Sequence, residues 1–186
     1  MRNNTLSRDC LNAESGQARN IHYGDVLVKY GSIVDIQNNQ VPFVNSDVEC
    51  KRWDRLKDGD IVIADTAEDD SVGKAVEVTN IGSDVVYSGL HTIACRPRES
   101  FARNYLSYYM NSDAYHDQLR PYMQGIKVTS VSKGNIALTR MSVPSLPEQR
   151  KIADCLASLD DVIAKAKDEL DAWCELKKGL LQQMFV

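Results

Sequence analysis

The sequence predicts an α+β protein, with a β-rich domain over residues 1–146 and one long C-terminal coiled-coil helix over residues 147–186. Short β-branched segments separated by Gly, Asn and Asp fill the first 100 residues, which is typical of a mixed or antiparallel β-sheet. Apolar residues then recur in a 4-3 spacing from Ile152 onward, which indicates a coiled-coil helix. Pro144 and Pro147 separate the two regions, because proline is excluded from helix interiors.

Several segments of the β-rich region have the composition of strands, and turn-forming residues such as Asn38-Asn39 and Asp58-Gly59 lie between them. The predicted strands are Asp25–Val28, Asp60–Ala64, Lys74–Thr79, Val85–Tyr87 and His91–Cys95.

From residue 100 the apolar spacing changes to that of helices. Ser100 is predicted to cap a first helix that ends near Met110, and Ser112 to cap a second one that ends before Pro121. Tyr105, Tyr108 and Tyr109 lie at helical spacing, so we expect them in the core. Strand-like composition returns at residues 126–131 and 136–138.

The C-terminal helix is predicted to begin at Pro147, with Glu148 in the first turn, where the helix dipole favours a carboxylate. At ~1.5 Å per residue, about 37 residues form a rod of roughly 55 Å. A core of about 145 residues has a radius of gyration near ~15 Å, so part of the rod is expected to project. A strict heptad repeat of this length favours a partner helix, and the alternative is a helix that folds back on its own domain. The 4-3 positions are Ile152, Leu156, Leu159, Ile163, Ala166, Leu170, Trp173, Lys177, Leu180 and Met184.

The composition of the chain restricts its environment and its partners. With 22 basic and 26 acidic residues the net charge is −4, which argues against a protein that binds nucleic acid by phosphate neutralisation alone. No apolar run is long enough for a membrane span, and no secretion signal is present at the N-terminus. Five scattered cysteines without a Cys-x-x-Cys pair indicate reduced thiols and a cytoplasmic protein.

The sequence carries no recognisable catalytic motif. It lacks a phosphate-binding loop, a dinucleotide fingerprint and the Asn/Asp-Pro-Pro-aromatic element of amino-methyltransferases. The acidic cluster Asp65, Glu68, Asp69 and Asp70 is the candidate for a Mg²⁺ nuclease, but no lysine follows at the spacing such a site needs. We therefore predict a non-catalytic protein without a cofactor or metal, with a solvated or partner-facing loop as the default interpretation of the acidic cluster.

The Pro-Glu-Gln-Arg element at the start of the long helix, within Val143–Ala153, is the most specific motif of the sequence. Seven other segments accompany it: Gly125–Ile136, Leu156–Ile163, Leu176–Phe185, Ile21–Asp25, Asp58–Val62, Ser88–Ile93 and Tyr105–Tyr109. Together these segments resemble the specificity (S) subunit of type I restriction–modification systems.

The resemblance implies a DNA-sequence-recognition subunit whose partners are double-stranded DNA, methyltransferase (M) subunits and the restriction (R) subunit. Members of this family pair two spacer helices antiparallel, whereas this sequence has one recognition domain and one helix. We therefore expect a half-subunit that forms a homodimer through antiparallel C-terminal helices, or one half of a longer S subunit. The methyltransferase subunits would supply the S-adenosylmethionine chemistry and share the phosphate contacts. The predicted dimerisation residues are Ile152, Leu156, Leu159, Ile163, Leu170, Trp173, Lys177 and Leu180, and Lys177 would fix the register.

Candidates for DNA contact are polar or basic residues on segments that could reach a groove. They are Lys29, Tyr30, Lys74, Ser88, His91, Gln124, Lys127, Thr129, Ser130 and Lys133. The group from Gln124 to Lys133 has the strongest case, with a β-turn carrying solvated lysines as its alternative. Two other functions stay open at this point: a coiled-coil adaptor without DNA contact, and a Mg²⁺ nuclease built on Asp65, Asp69 and Asp70.

Overall fold

The computed structural model of the protein describes residues 1–50, 53–125 and 127–185. Its β-rich part precedes a long helix that ends the described chain. The strands are β1 Leu11–Asn12, β2 Arg19–Ile21, β3 Ile33–Asp35, β4 Phe43–Val44, β5 Ile61–Ala64, β6 Thr66–Ala67, β7 Ala75–Thr79, β8 Val86–Ser88, β9 Thr92–Cys95 and β10 Thr129–Ser130. The helices are α1 Tyr23–Val28, α2 Tyr105–Met110, α3 Asp113–Leu119, α4 Lys133–Ile136 and α5 Leu146–Met184, with 3₁₀ turns at Arg8–Cys10 and Arg120–Tyr122.

The strands form two four-stranded sheets and a two-stranded ladder. The first sheet has the order β1-β4-β2-β8, the second β3-β7-β5-β9, and β6 pairs with β10. The pairs β2–β8 and β3–β7 are parallel, while the other pairs are antiparallel. The predicted mixed sheet with a C-terminal helix is confirmed.

The second sheet is buried on both faces and organises the core. Val62 and Val76 contact one apolar cluster, which includes residues of β2 and α1. Ile61 and Ile63, on the opposite face of β5, contact a second cluster built with α2 and α3. Successive strand residues point to opposite faces, and both faces are covered by apolar clusters. For this reason β5 and β7 are buried along their whole length.

The prediction of a strand at Asp25–Val28 is wrong, because these residues form helix α1. The His22 side chain accepts a hydrogen bond from the Gly24 N–H at 3.2 Å and caps the helix. The Asp25 carboxylate binds the Arg8 guanidinium at 2.8 and 3.1 Å, a long-range contact that local strand propensity does not contain. The predicted strand at residues 136–138 is also replaced by a helical turn, α4, which Ser132 caps through the Asn135 N–H.

The two predicted central helices are present, with one changed start. Ser112 caps α3 as predicted, by accepting from the Tyr115 N–H. Ser100 does not cap α2, which begins instead after Asn104, a residue with a positive φ of 67°. Of the strand predicted at residues 126–131 the structure has only Thr129–Ser130, and Ile126 lies outside the described residues.

Helix α5 begins at Leu146, one residue before the predicted start, behind a capping box formed by Ser145 and Glu148. Gln149 and Ala153 are its buried residues, and both face the globular part. Beyond Asp160 the helix projects away from the domain, with Ile163 and Leu170 each half or more exposed. The predicted projection is confirmed, and a helix folded back along its length on its own domain is excluded. No helix in the described ranges combines the length and apolar character that a membrane span needs.

Candidate nucleic-acid interface

An open cleft of about 490 Å³ lies beside the first sheet, and we call it the basic–amide cleft. Its chemistry is distinctive, because three cationic side chains and five carboxamides line it while none of its described lining residues is a carboxylate. The cations are Arg8, Arg19 and Lys29, the carboxamides are Asn12, Gln37, Asn38, Asn39 and Gln40, and the remaining lining residues are Leu11, Ala13, Val41, Pro42 and Phe43.

The loop between β3 and β4 supplies most of the carboxamides, and Asp35 orders it. Its carboxylate accepts hydrogen bonds from the Gln37 and Asn38 N–H groups, each at 3.0 Å, and from the Asn38 side chain at 3.0 Å. Burial alone would raise the pKa of Asp35, but these bonds and one from Asn80 outweigh it and lower that pKa. The loop therefore presents its side chains from a fixed backbone.

Gln40 is the residue of this loop whose side chain is free. Its carboxamide is exposed and makes no hydrogen bond with any described residue. Its carbonyl, in contrast, accepts from the Lys29 ammonium and from the Tyr30 hydroxyl, the latter at 3.4 Å. The backbone is thus held against the end of α1 while the exposed side chain stays unengaged.

The positive charge of the cleft is smaller than three cations suggest. Arg8 is paired with Asp25, and this hydrogen bond raises the pKa of the guanidinium above its ordinary value. Arg19 donates to Asp84 at 2.7 Å, and its guanidinium lies 4.4 Å from the Phe43 ring centroid. Lys29 is the lining cation with no carboxylate partner in the described part of the chain. The cleft can therefore make few phosphate contacts by itself.

The structure places Lys29 at this cleft, buries Tyr30 and Ser88, and leaves Lys74 partly buried. Tyr30 is 4% exposed and belongs to the core. Lys74 donates to the Leu27 and Tyr30 carbonyls at 2.9 and 2.8 Å, and burial lowers the pKa of its ammonium. Ser88 is 1% exposed and shares a hydrogen bond with Thr92. DNA contact by Tyr30, Lys74 and Ser88 stays a prediction, and their contacts within the chain favour a supporting role.

The other predicted DNA contacts gather around the ladder of β6 and β10. Ser130 pairs with Thr66 of β6 and forms backbone hydrogen bonds with Gln124. The exposed acidic segment Glu68–Asp70 follows β6 directly, so it lies next to this group. Phosphates would be repelled there, which makes this surface less favourable for DNA than the basic–amide cleft. The residues concerned are His91, Gln124, Lys127, Thr129, Ser130 and Lys133, and their contact with DNA stays a prediction.

Two of these residues, His91 and Lys133, form side-chain contacts with other parts of the chain. The His91 ring nitrogen lies 3.5 Å from an Asp65 carboxylate oxygen and 3.3 Å from the Thr66 hydroxyl. The Lys133 ammonium donates to the Met1 carbonyl at 3.3 Å. Within the described ranges no three His, Cys, Asp or Glu side chains converge as a metal site would require, so the nuclease hypothesis gains no support.

The predicted dimerisation residues lie along one stripe of the projecting helix. All are exposed, the apolar ones from 36% for Leu156 to 60% for Leu170. An apolar stripe of this length would be costly to leave in water. At the base of the helix, Tyr108 donates to the Asp160 carboxylate at 2.7 Å and fixes the rod to α2.

Sequence analysis missed most of the basic–amide cleft, although one signal was present. The uninterrupted run Gln37–Gln40 places four carboxamides in a segment bounded by apolar residues. Such side chains hydrogen-bond to base edges, and the run could have been identified as a polar recognition loop. Arg8, Asn12 and Arg19 join it only through the pairing of β4 with β1 and β2.

The family model for the type I restriction modification DNA specificity domain matches residues 19–172. A Methanocaldococcus jannaschii protein named as the type I restriction enzyme MjaX specificity subunit is 21% identical over 133 residues, which are 70% of this chain and 31% of that protein. A chain from a structural study of complex assembly and conformational transition of the type I R-M system has a TM-score of 0.59 at 18% identity, covering 96% of this chain and 40% of its own. The HsdS subunit from Thermoanaerobacter tengcongensis has a TM-score of 0.53 at 18% identity, with 90% and 36% covered. The chain thus spans about a third of the curated relative, and the two solved structures share its fold.

Proposed function

The chain belongs to the family of type I restriction–modification DNA specificity domains, and from this premise we propose that it is a non-catalytic DNA-recognition subunit that reads one half-site. The observation that carries the proposal is the basic–amide cleft, with carboxamides at its mouth and no carboxylate among its described lining residues. Methylation and cleavage would belong to the methyltransferase and restriction subunits that dock on it.

The chemistry of the cleft suits the reading of base edges. A carboxamide can form two hydrogen bonds with adenine, and a guanidinium can form two with guanine. Gln40 has an unengaged carboxamide, while Arg8 and Arg19 already bind carboxylates. We therefore assign the principal base contact to Gln40 and a positioning role to the rest of the loop.

The modest charge of the cleft has a consequence for assembly. Affinity for DNA comes largely from phosphate contacts, and here Lys29 is the lining cation without a carboxylate partner in the described residues. The net charge of −4 gives no further help. The methyltransferase subunits would therefore supply most of the phosphate contacts, while this chain supplies sequence discrimination.

The heptad positions of α5 support an antiparallel homodimer, because they are symmetric about Asp168. We call the 4-3 positions from Ile152 to Met184 the seam. A two-fold axis at Asp168 sets each seam residue of one helix opposite a seam residue of the other. The resulting pairs are Ile152 with Met184, Leu156 with Leu180, Leu159 with Lys177, Ile163 with Trp173, and Ala166 with Leu170. In such a dimer the rod of about 57 Å holds two recognition domains at a fixed separation and in inverted orientation.

The test compares Gln40→Ala with Gln182→Ala, a matched change on the exposed outer face of α5. Each variant is assembled with the methyltransferase subunit of its system, and methylation of the preferred duplex is measured against duplexes with single base changes. Loss of a bidentate base contact is expected to cost about 1–3 kcal/mol of discrimination at one position of each half-site. Gln182→Ala should keep the wild-type preference.

Unchanged discrimination in Gln40→Ala would remove this residue from the interface. An assembled complex without any sequence preference would overturn DNA recognition as the function, and DNA binding that is independent of salt would favour a protein–protein adaptor.

A further inference from the structure

An apolar groove of about 650 Å³ opens where α5 leaves the domain. Ile152 and Leu156 of α5 form one wall of this groove, and the tyrosines of α2 form the other. Its lining comprises Tyr105, Tyr108, Tyr109, Ser112, Ser142, Val143, Pro144, Ile152 and Leu156. We call it the basal groove.

The polar ends of the groove tyrosines are engaged within the chain. Tyr105 donates to the Ser142 carbonyl at 2.9 Å, and Tyr108 donates to Asp160 at 2.7 Å. The Tyr109 hydroxyl accepts from the Ser142 N–H at 3.1 Å. Tyr105 is buried at 3% exposure, so the apolar surface open to an occupant comes from the half-buried rings of Tyr108 and Tyr109. The hydroxyls of all three tyrosines need no further partner.

The last turn of α5 and its C-cap residue, Phe185, carry apolar side chains that lie outside the seam. Leu180 and Met184 are seam positions, but Leu181 and Phe185 lie beside the seam and are 49% and 81% exposed. Nothing in the described chain covers them, although each would be favourable to bury.

The heptad register indicates which surface these two residues face. Leu181 occupies the same heptad position as Ala153, which is buried against the domain, and Asp160, which accepts from Tyr108 of α2. Phe185 follows Leu181 by one turn on the same side. A two-fold antiparallel pair brings equivalent flanking positions of the two helices together. With the axis at Asp168, Leu181 of one copy faces the Ala153 side of the other, where the basal groove opens.

We propose that the basal groove binds Leu181 and Phe185 of a second copy of this chain. The two grooves of a homodimer would then each hold the distal end of the other copy's helix. The contact would join each rod to the opposite domain and thereby fix the orientation of the two recognition domains. This inference rests on the proposed antiparallel homodimer and adds its second contact surface.

The first test replaces Leu181 and Phe185 in the full chain, as Leu181→Ser and Phe185→Ser, with Gln182→Ser at an exposed polar position of the same turn as the matched control. Truncation of a buried interface side chain weakens binding about tenfold or more. Because each dimer contains two grooves, each variant should raise the dimer dissociation constant about a hundredfold in sedimentation equilibrium. Gln182→Ser should leave that constant unchanged.

The second test locates the binding site of these residues. Val143→Asp puts a charge into the groove at an exposed position, so the domain should stay folded. Alone it should also weaken the dimer. Because Val143→Asp and Phe185→Ser remove the same contact, the double variant should raise the dimer dissociation constant by less than the product of the two single increases.

The contradicting outcomes are distinct. The groove assignment would be overturned if the wild-type chain dimerises and the dissociation constants of Leu181→Ser and Phe185→Ser equal that of Gln182→Ser. The seam dimer would then stand without the groove contact. Independent, multiplicative effects of Val143→Asp and Phe185→Ser would overturn it as well. A wild-type chain that stays monomeric at high concentration would overturn the homodimer itself and the groove contact with it.

Discussion

Gln149 joins the long helix to the domain, and its replacement should destabilise the protein measurably. Its side chain is 2% exposed, accepts from the Ala102 N–H at 2.9 Å and donates to the Pro144 carbonyl at 2.9 Å. Gln149→Met keeps the volume and helix propensity but leaves both backbone groups without their partner. A buried group left unpaired costs about 1–3 kcal/mol, and Pro144 is half-buried, so its carbonyl falls at the lower end.

The expected loss is therefore about 3 kcal/mol of unfolding free energy, or about 6–12 °C in Tm for a chain of this size. Urea unfolding followed by circular dichroism measures it, with Gln182→Met as the control for the same chemical change at an exposed position. The control should stay within about 0.5 kcal/mol of wild type. If Gln149→Met unfolded at the same urea concentration as Gln182→Met, the two hydrogen bonds would not stabilise the junction.

Three further predictions concern the helix seam, a buried carboxyl group and the phosphate contacts. Leu159→Asp should abolish the dimer by placing a carboxylate in the apolar seam while the domain stays folded, and sedimentation showing an intact dimer would contradict the seam. Burial raises the pKa of Glu77 despite a hydrogen bond from the Asn104 N–H, so the native state keeps this proton to higher pH than the unfolded chain. Stability should therefore fall as pH rises from the ordinary carboxyl pKa through the raised native value, and Glu77→Gln should remove this fall in urea midpoints measured across that range; an unchanged pH profile would refute it. The log–log salt slope of DNA binding by the isolated chain should be about −1 to −2, since each phosphate contact contributes about −0.9, and it should steepen when methyltransferase subunits are added. An equally steep slope for the chain alone would contradict the assignment of phosphate contacts to the partner.

The long helix was predictable because its signal is local. The 4-3 spacing, Pro147 and Glu148 define its start and its exposed stripe, and the structure begins it within one residue of the prediction. The strands β5, β7, β8 and β9 were found for the same reason, since each is a short β-branched run between turn residues.

Helix α1 was not predictable from composition, because distant residues decide it. Asp25–Val28 has the composition of a strand, yet the cap by His22 and the pairing of Asp25 with Arg8 select the helix. Strand propensity is a weak preference that contacts of this kind readily override.

The basic–amide cleft was missed because its parts come from separate segments. Arg8, Arg19 and the loop Gln37–Gln40 meet only after β4 has paired with β1 and β2. The predicted contacts were instead polar or basic residues beside predicted strands. One of them, Lys74, binds backbone carbonyls in the structure.

The most direct test of the central claim is selection of bound duplexes from a random DNA library by the full chain assembled with its methyltransferase subunit. A two-fold symmetric pair of recognition domains on an antiparallel rod predicts an inverted repeat of one short half-site with a single fixed gap. Enrichment of an unrepeated site, of a direct repeat, or of no sequence at all would contradict the claim.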